Sequence, residues 1–252
     1  MSDGEATPTF AARGGQAHSV RITDLSDAAL RVIKIGRRDP KNGNWLIRDV
    51  TLSVSAGDRL GVLGPSGAGK TVLLRAMALL DPMDAGTIFY QGEVVVGDQV
   101  PRYRSQVIYL QQKPALHEGT VEDNLRQPFA LKAHQGHRFD RRRAADLLAS
   151  LGRDPAFLEK SSRDLSGGEA QIAALVRAIQ LEPTMLLLDE PTASLDPETA
   201  QAVEAALAGW LAARATERAL VWVGHDRDQT LRMTARTISL AAGRLDPESS
   251  DG

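Results

Sequence analysis

Apolar and polar positions follow two periods along this chain. Short apolar runs at residues 30–35, 46–54, 60–63, 87–90, 106–110, 185–188 and 220–223 have the length and aliphatic content of strands. Between them, apolar residues fall three and four apart, which places them on one face of a helix. A helix is predicted over 70–80, directly after a glycine-rich turn. Thr120, with Asp123 three residues on, reads as the N-cap of a second helix through a capping box. Asp140 heads a third, whose Ala144, Leu147, Leu148 and Leu151 share a face and which Gly152 stops. A fourth follows Ser166, with Ile172, Leu175 and Ile179 at helical spacing. Asp196 and Pro197 open a fifth, with Val203, Leu207, Trp210 and Leu211 facing inward.

Strands alternating with helices imply an α/β fold around a largely parallel sheet. The run at 220–223 reads as its last strand. Residues 1–24 are poor in bulky apolar side chains and are expected to form a mobile extension; 246–252 read as a tail, which leaves one domain over 25–245. Composition adds exclusions. With 252 residues, 42% hydrophobic and 25% charged, the chain can bury its own core. A net charge of −2 argues against a general nucleic-acid binder. The lack of cysteine rules out disulfides and thiolate metal sites. No apolar run approaches the roughly 20 residues a bilayer requires, so a membrane role has to come through a partner. The start of the chain lacks the pattern of a secretory signal.

Chemistry concentrates in three places. Gly64, Pro65, Ser66, Gly67, Ala68, Gly69, Lys70 and Thr71 match G-x-x-x-x-G-K-[ST] in full. Glycines let backbone N–H groups close around phosphate oxygens, Lys70 brings a point charge to them, and the Thr71 hydroxyl suits Mg²⁺. A helix beginning there adds its positive end. The run at 185–188 delivers Asp189 and Glu190 at its C-terminal edge, where α/β sheets place ligands. Asp189 suits Mg²⁺ coordination, and Glu190 can orient and deprotonate a water. Alone, that run reads equally well as a strand entering an acidic turn; beside the glycine loop it gains meaning. The third place is Leu165, Ser166, Gly167, Gly168 and Glu169.

These three sets, with Gln112, Ser194, Leu195, Asp196 and His225, resemble the ATP-binding-cassette ATPases in order and spacing, over about residues 30–244. The resemblance implies a P-loop NTPase fold with a largely parallel core sheet, an antiparallel β subdomain and a helical subdomain over roughly 113–170. It implies ATP and Mg²⁺ as ligands, the metal on Thr71, Gln112 and Asp189. Gln112 looks like the glutamine that also senses a transmembrane partner; Gln111 competes, and Pro114 two residues beyond Gln112 favours the latter. Ser166, Gly167 and Gly168 would cap the γ-phosphate held by a second copy in a head-to-tail homodimer, with Asp196 crossing between copies. His225, Glu190 and Lys70 would carry catalysis. Such a subunit sits peripherally at the cytoplasmic face of the cell membrane on a permease subunit, with no nucleic acid expected.

Three other readings are weighed against this. Non-transport cassettes that act on DNA or ribosomes usually carry a long coiled-coil insert or two cassettes. A small-molecule P-loop kinase shares the glycine loop alone, and a binding-only sensor is disfavoured by Glu190. The chain also departs from the family pattern. No aromatic residue stands near Gly36, Arg37, Arg38 and Asp39, where the family stacks one on adenine; Trp45, or a guanidinium of Arg37 or Arg38, is the alternative. Ile172 occupies a position where arginine is usual. The basic run His137, Arg138, Arg141, Arg142, Arg143 reads first as a solvated helix face, and second as a dock for acidic loops. Stretches 102–107, 118–125 and 222–228 are similar to the ATPase subunit of the Fet-type bacterial iron exporters, which points to metal export.

Overall fold

The structure, a computed structural model, describes residues 28–246; the expected N-terminal extension and all but Asp246 of the tail lie outside them. The strands are β1 (Ala28–Arg38), β2 (Trp45–Ser55), β3 (Arg59–Leu63), β4 (Ala85–Tyr90), β5 (Glu93–Val94), β6 (Val107–Leu110), β7 (Met185–Asp189), β8 (Ala219–Val223), β9 (Arg236–Ala241) and β10 (Arg244–Leu245). The α-helices are α1 (Lys70–Met77), α2 (Val100–Gln106), α3 (Val121–Arg126), α4 (Arg141–Ser150), α5 (Gly167–Ile179), α6 (Pro197–Ala212) and α7 (Arg227–Met233). Two sheets form. One has the order β2-β1-β4-β5 and is antiparallel throughout. The other has the order β10-β9-β3-β8-β7-β6 and is parallel except at β10.

The parallel strands β7 and β8 are buried along their whole length, as strands covered on both faces must be. Their two-residue period then splits the interior. Met185, Leu187, Val221 and Val223 face a core shared with Leu73, Leu74 and Met77 of α1 and with the antiparallel sheet. Leu186, Leu188, Leu220 and Trp222 face a second core, shared with Leu125, Leu148, Leu175 and Leu207 of α3 to α6.

The N-caps form as their side chains dictate. The Thr120, Ser166 and Asp196 side chains each accept the N–H three residues on, at 3.1, 3.2 and 2.9 Å, and Asp140 accepts Arg142 N at 2.9 Å. Several boundaries differ from the sequence expectation. Helix α1 ends at Met77, before Leu79 turns to φ 55°. Helix α5, by contrast, runs from Gly167 to Ile179, as the spacing of Ile172, Leu175 and Ile179 after Ser166 predicts. Gln106 closes α2 and does not open β6. Strands β9 and β10 follow the strand expected to be last. In β9 only Ile238 and Leu240 are buried, so its apolar signal amounts to two residues.

Leu187 is fully buried between α1 and the neighbouring strands. Leu187→Ala should cost about 3 kcal/mol of stability through lost transfer energy and a cavity, read as a shifted midpoint with unchanged slope in urea unfolding.

Candidate functional site

The glycine loop joins β3 to α1, and its shape depends on three residues with left-handed backbones: Gly64 at φ 146°, Gly67 at 76° and Gly69 at 100°. At two of them a side chain is also excluded by space. A Cβ on Gly64 would sit 2.1 Å from the Leu240 carbonyl oxygen, and one on Gly69 2.9 Å from that of Leu46. Gly69 is the N-cap of α1 and supplies no side-chain cap, so no side chain at that position covers the first-turn N–H groups. Lys70 Nζ lies inside the loop, donating to Gly64 O at 2.7 Å and Pro65 O at 3.0 Å.

A cleft of about 660 Å³ opens here. All eight residues from Gly64 to Thr71 line it, with Gln112, Glu190, His225, Leu46 and Val72. Three residues far apart in sequence converge on one atom: Gln112 Nε2 donates to Glu190 Oε2 at 2.6 Å, and His225 Nδ1 stands 3.8 Å from the same oxygen. Gln112, and not Gln111, lines the cleft. Glu190 follows β7 with φ 49°, a costly conformation for a residue with a Cβ. It is held because Glu190 N donates to Val223 O at 2.8 Å, the last residue of β8, two before His225. Gly224 between them has no room for a side chain, since a Cβ would meet Thr230 Oγ1 and Trp222 Nε1 at 2.8 Å each. Asp226 then caps α7 through the N–H groups of Asp228 and Gln229.

Asp189 does not line the cleft. It is buried at the end of β7 and accepts the Tyr109 hydroxyl at 2.9 Å from the neighbouring strand β6. Burial, with the adjacent Asp189 carboxylate, pushes the Tyr109 phenol well above its ordinary value, so it stays a donor. Sequence reasoning missed Tyr109; inside an apolar strand its only sign was a polar tip. Ser166, Gly167 and Gly168 also lie outside this cleft. They begin α5 on another surface, where Gly168 packs so tightly on the Ser194–Leu195 turn that a Cβ would sit 2.9 Å from Ser194 O. Asp196 caps α6, its two oxygens taken by Thr199 N at 2.9 Å and Thr199 Oγ1 at 2.7 Å.

Trp45 is half-buried and does not line the cleft. The Arg38 guanidinium lies over its ring, 3.9 Å from the centroid, Arg48 stands 5.5 Å away, and the ring also fills the space above Gly36. Outside the glycine loop, the apolar residues that line the cleft are Leu46 and Val72. Within the basic run, Arg141 pairs with Glu122 at 2.8 Å and Arg143 with Glu182. Ile172 is fully buried in the second core.

Comparison with known proteins agrees with this geometry. Residues 47–193, more than half of the chain, match the family model described as ABC transporter. The chain is 37% identical over 81% of its length to the Fe(3+) ions import ATP-binding protein FbpC 3 of Rhodococcus jostii, and spans 57% of that protein. It is 35% identical over 73% of its length to the probable iron export ATP-binding protein FetA of Escherichia coli, covering 80% of it. Among solved structures, the dimeric post-hydrolysis ATP-binding cassette MJ0796 bound to ADP and Pi superposes with a TM-score of 0.78 at 23% identity, over 88% of this chain and 99% of that one. Glycine loop, paired acids and signature segment in one order, on a cassette fold and under a matching family model, place the chain in the ABC transporter family.

Proposed function

We propose that two copies of this chain, paired head to tail, bind and hydrolyse Mg-ATP to drive a separate membrane-spanning permease from the cytoplasmic face of a membrane. The observation that carries this reading is the meeting of Gln112, Glu190 and His225 on one carboxylate oxygen beside the glycine loop. Among the described residues no helix is long and apolar enough to cross a membrane.

The residues divide the work. Loop N–H groups, Lys70 and the start of α1 hold the phosphates. Glu190 accepts a proton from the attacking water while His225 orients it. The Ser166–Gly168 segment of the second copy closes the far side. A magnesium ion, when bound with the nucleotide, would offset charge on the phosphate oxygens. The donors expected for it are hard oxygens of the kind that ion takes: the Thr71 hydroxyl and the Gln112 amide line the cleft, while the Asp189 carboxylate is buried outside its lining. Iron is the proposed cargo: both relatives are named for it, and the three stretches similar to the Fet-type subunit favour export.

Glu190→Gln should still bind ATP, shift the chain to a dimer on size exclusion, and slow phosphate release at least about 100-fold; undiminished turnover would sink the mechanism. Tyr109→Phe orphans a buried carboxylate oxygen and should raise the Mg²⁺ concentration for half-maximal ATPase about tenfold, by loss of an outer-shell hydrogen bond. For the cargo, cells lacking the chain should accumulate iron and become sensitive to it, and unchanged iron content rejects the assignment.

A further inference from the structure

The signature segment is fixed by more than its own helix. Ser166 Oγ accepts Glu169 N at 3.2 Å, and Glu169 Oε2 accepts Ser166 N at 2.9 Å, a complete capping box. Upon it closes a residue that no motif includes. Lys160 Nζ donates to both Glu169 oxygens, at 2.8 and 2.9 Å. The Lys160 ammonium first, and the Ser166 N–H second, hold the Glu169 carboxyl below its usual range.

Lys160 is itself anchored from behind. Its carbonyl accepts Val121 N at 3.0 Å, Ser161 pairs with Thr120, and Ser162 donates to Gly119 O and His117 O at 2.8 Å each. The main chain around Lys160 is thus gripped by residues 117–121, a few positions beyond Gln112, while its side chain grips the capping box.

Electrostatics give the pair a purpose. A triphosphate approaching the start of α5 is attracted by the helix end and repelled by any free carboxylate in the first turn. Glu169 stands there. Paired with Lys160, it acts as a neutral hydrogen-bond acceptor that aligns Ser166. We propose that Lys160 is a positioning residue: it cancels Glu169 and sets the Ser166 hydroxyl and the following N–H groups toward the γ-phosphate held by the partner copy. This rests on the reading of Ser166–Gly168 as a phosphate cradle. As a stabilising pair the contact is minor, because both side chains remain partly exposed, 36% and 19%; its effect belongs to turnover.

The experiment compares Lys160→Met, Lys160→Arg, the double variant Lys160→Met/Glu169→Gln, and Ser166→Asp in the full chain. Steady-state ATPase, ATP binding to the isolated chain and thermal unfolding are measured for each. Lys160→Met should lower kcat about tenfold, with ATP binding and unfolding temperature unchanged. Arginine should retain activity. The double variant should recover to within about threefold, because glutamine keeps the acceptor and removes the charge. Wild-type turnover in Lys160→Met, a double variant as impaired as the single one, or an unfolding temperature that falls in step with activity overturns the proposal. Ser166→Asp keeps an N-cap but adds a negative charge at the cradle, so it should be inactive. If it turns over normally, the cradle reading fails and the role of Lys160 with it. If it is inactive while Lys160→Met is normal, Lys160 alone is rejected.

Discussion

A triphosphate presents charge and almost no apolar surface, so the fold must hold it with backbone N–H groups, and everything else in the site depends on a loop able to offer them. That loop is moulded from outside. Gly64 lies against the carbonyl of Leu240 in β9, Gly69 against the carbonyl of Leu46 in β2, and Gly243, in the turn between β9 and β10, donates to Ala68 O at 3.0 Å. The same Gly243 approaches Leu46 so closely that a Cβ would sit 2.5 Å from its oxygen. Parallel core and antiparallel sheet therefore meet at the loop, and glycine is required on both sides of the contact.

The groups proposed for catalysis reach the loop through strand register. Asp189 of β7 pairs with Val223 of β8, so the two strands end level and the chain after each emerges at the same edge. One hydrogen bond, Glu190 N to Val223 O, then carries the register across to the turn that holds His225. The left-handed backbone of Glu190 is strain tolerated where it aims a carboxylate. Two buried cores, one on each face of β7 and β8, keep those strands from slipping, because a shift of β8 by one residue would send Trp222 into the core that holds Val221 and Val223.

What the sequence made legible was local. A helix cap and its partner lie within four residues, so Thr120, Asp140, Ser166 and Asp196 could each be read from a short window, as could the glycine loop. Strands β7 and β8 announced themselves because burial on both faces leaves an unbroken apolar run. What could not be read depends on distant pairing. Tyr109 and Asp189 are 80 residues apart and meet only because β6 and β7 are neighbours. Strand β9, which props the glycine loop, buries two side chains and so barely differs from a polar loop in sequence. Lys160 has no motif; its meaning comes from the carboxylate it touches. Trp45 offered an aromatic ring near the nucleotide, but the register of β1 and β2 sets it opposite Arg38 and away from the cleft.

The two proposed anion cradles are both helix N-termini, yet they manage charge in opposite ways. Helix α1 has glycine at its N-cap, no acidic residue in its first turn, and Lys70 at its first position. Its positive end and its ammonium are both available to the phosphates, which is the arrangement for holding a polyanion tightly. Helix α5 uses Ser166 as a cap and consumes the Glu169 N–H within its own box. Its nearby ammonium, Lys160, is turned onto Glu169 and contributes neutrality in place of attraction. On the proposed reading, a cradle built this way would touch phosphate with a hydroxyl and the N–H groups of Gly167 and Gly168, without a net charge to bind it. The asymmetry fits a pair of copies in which each keeps its own nucleotide and must release its twin's in every cycle: a second full-strength cradle would hold the dimer shut after hydrolysis, whereas a neutralised one lets the loss of a single phosphate decide whether it opens.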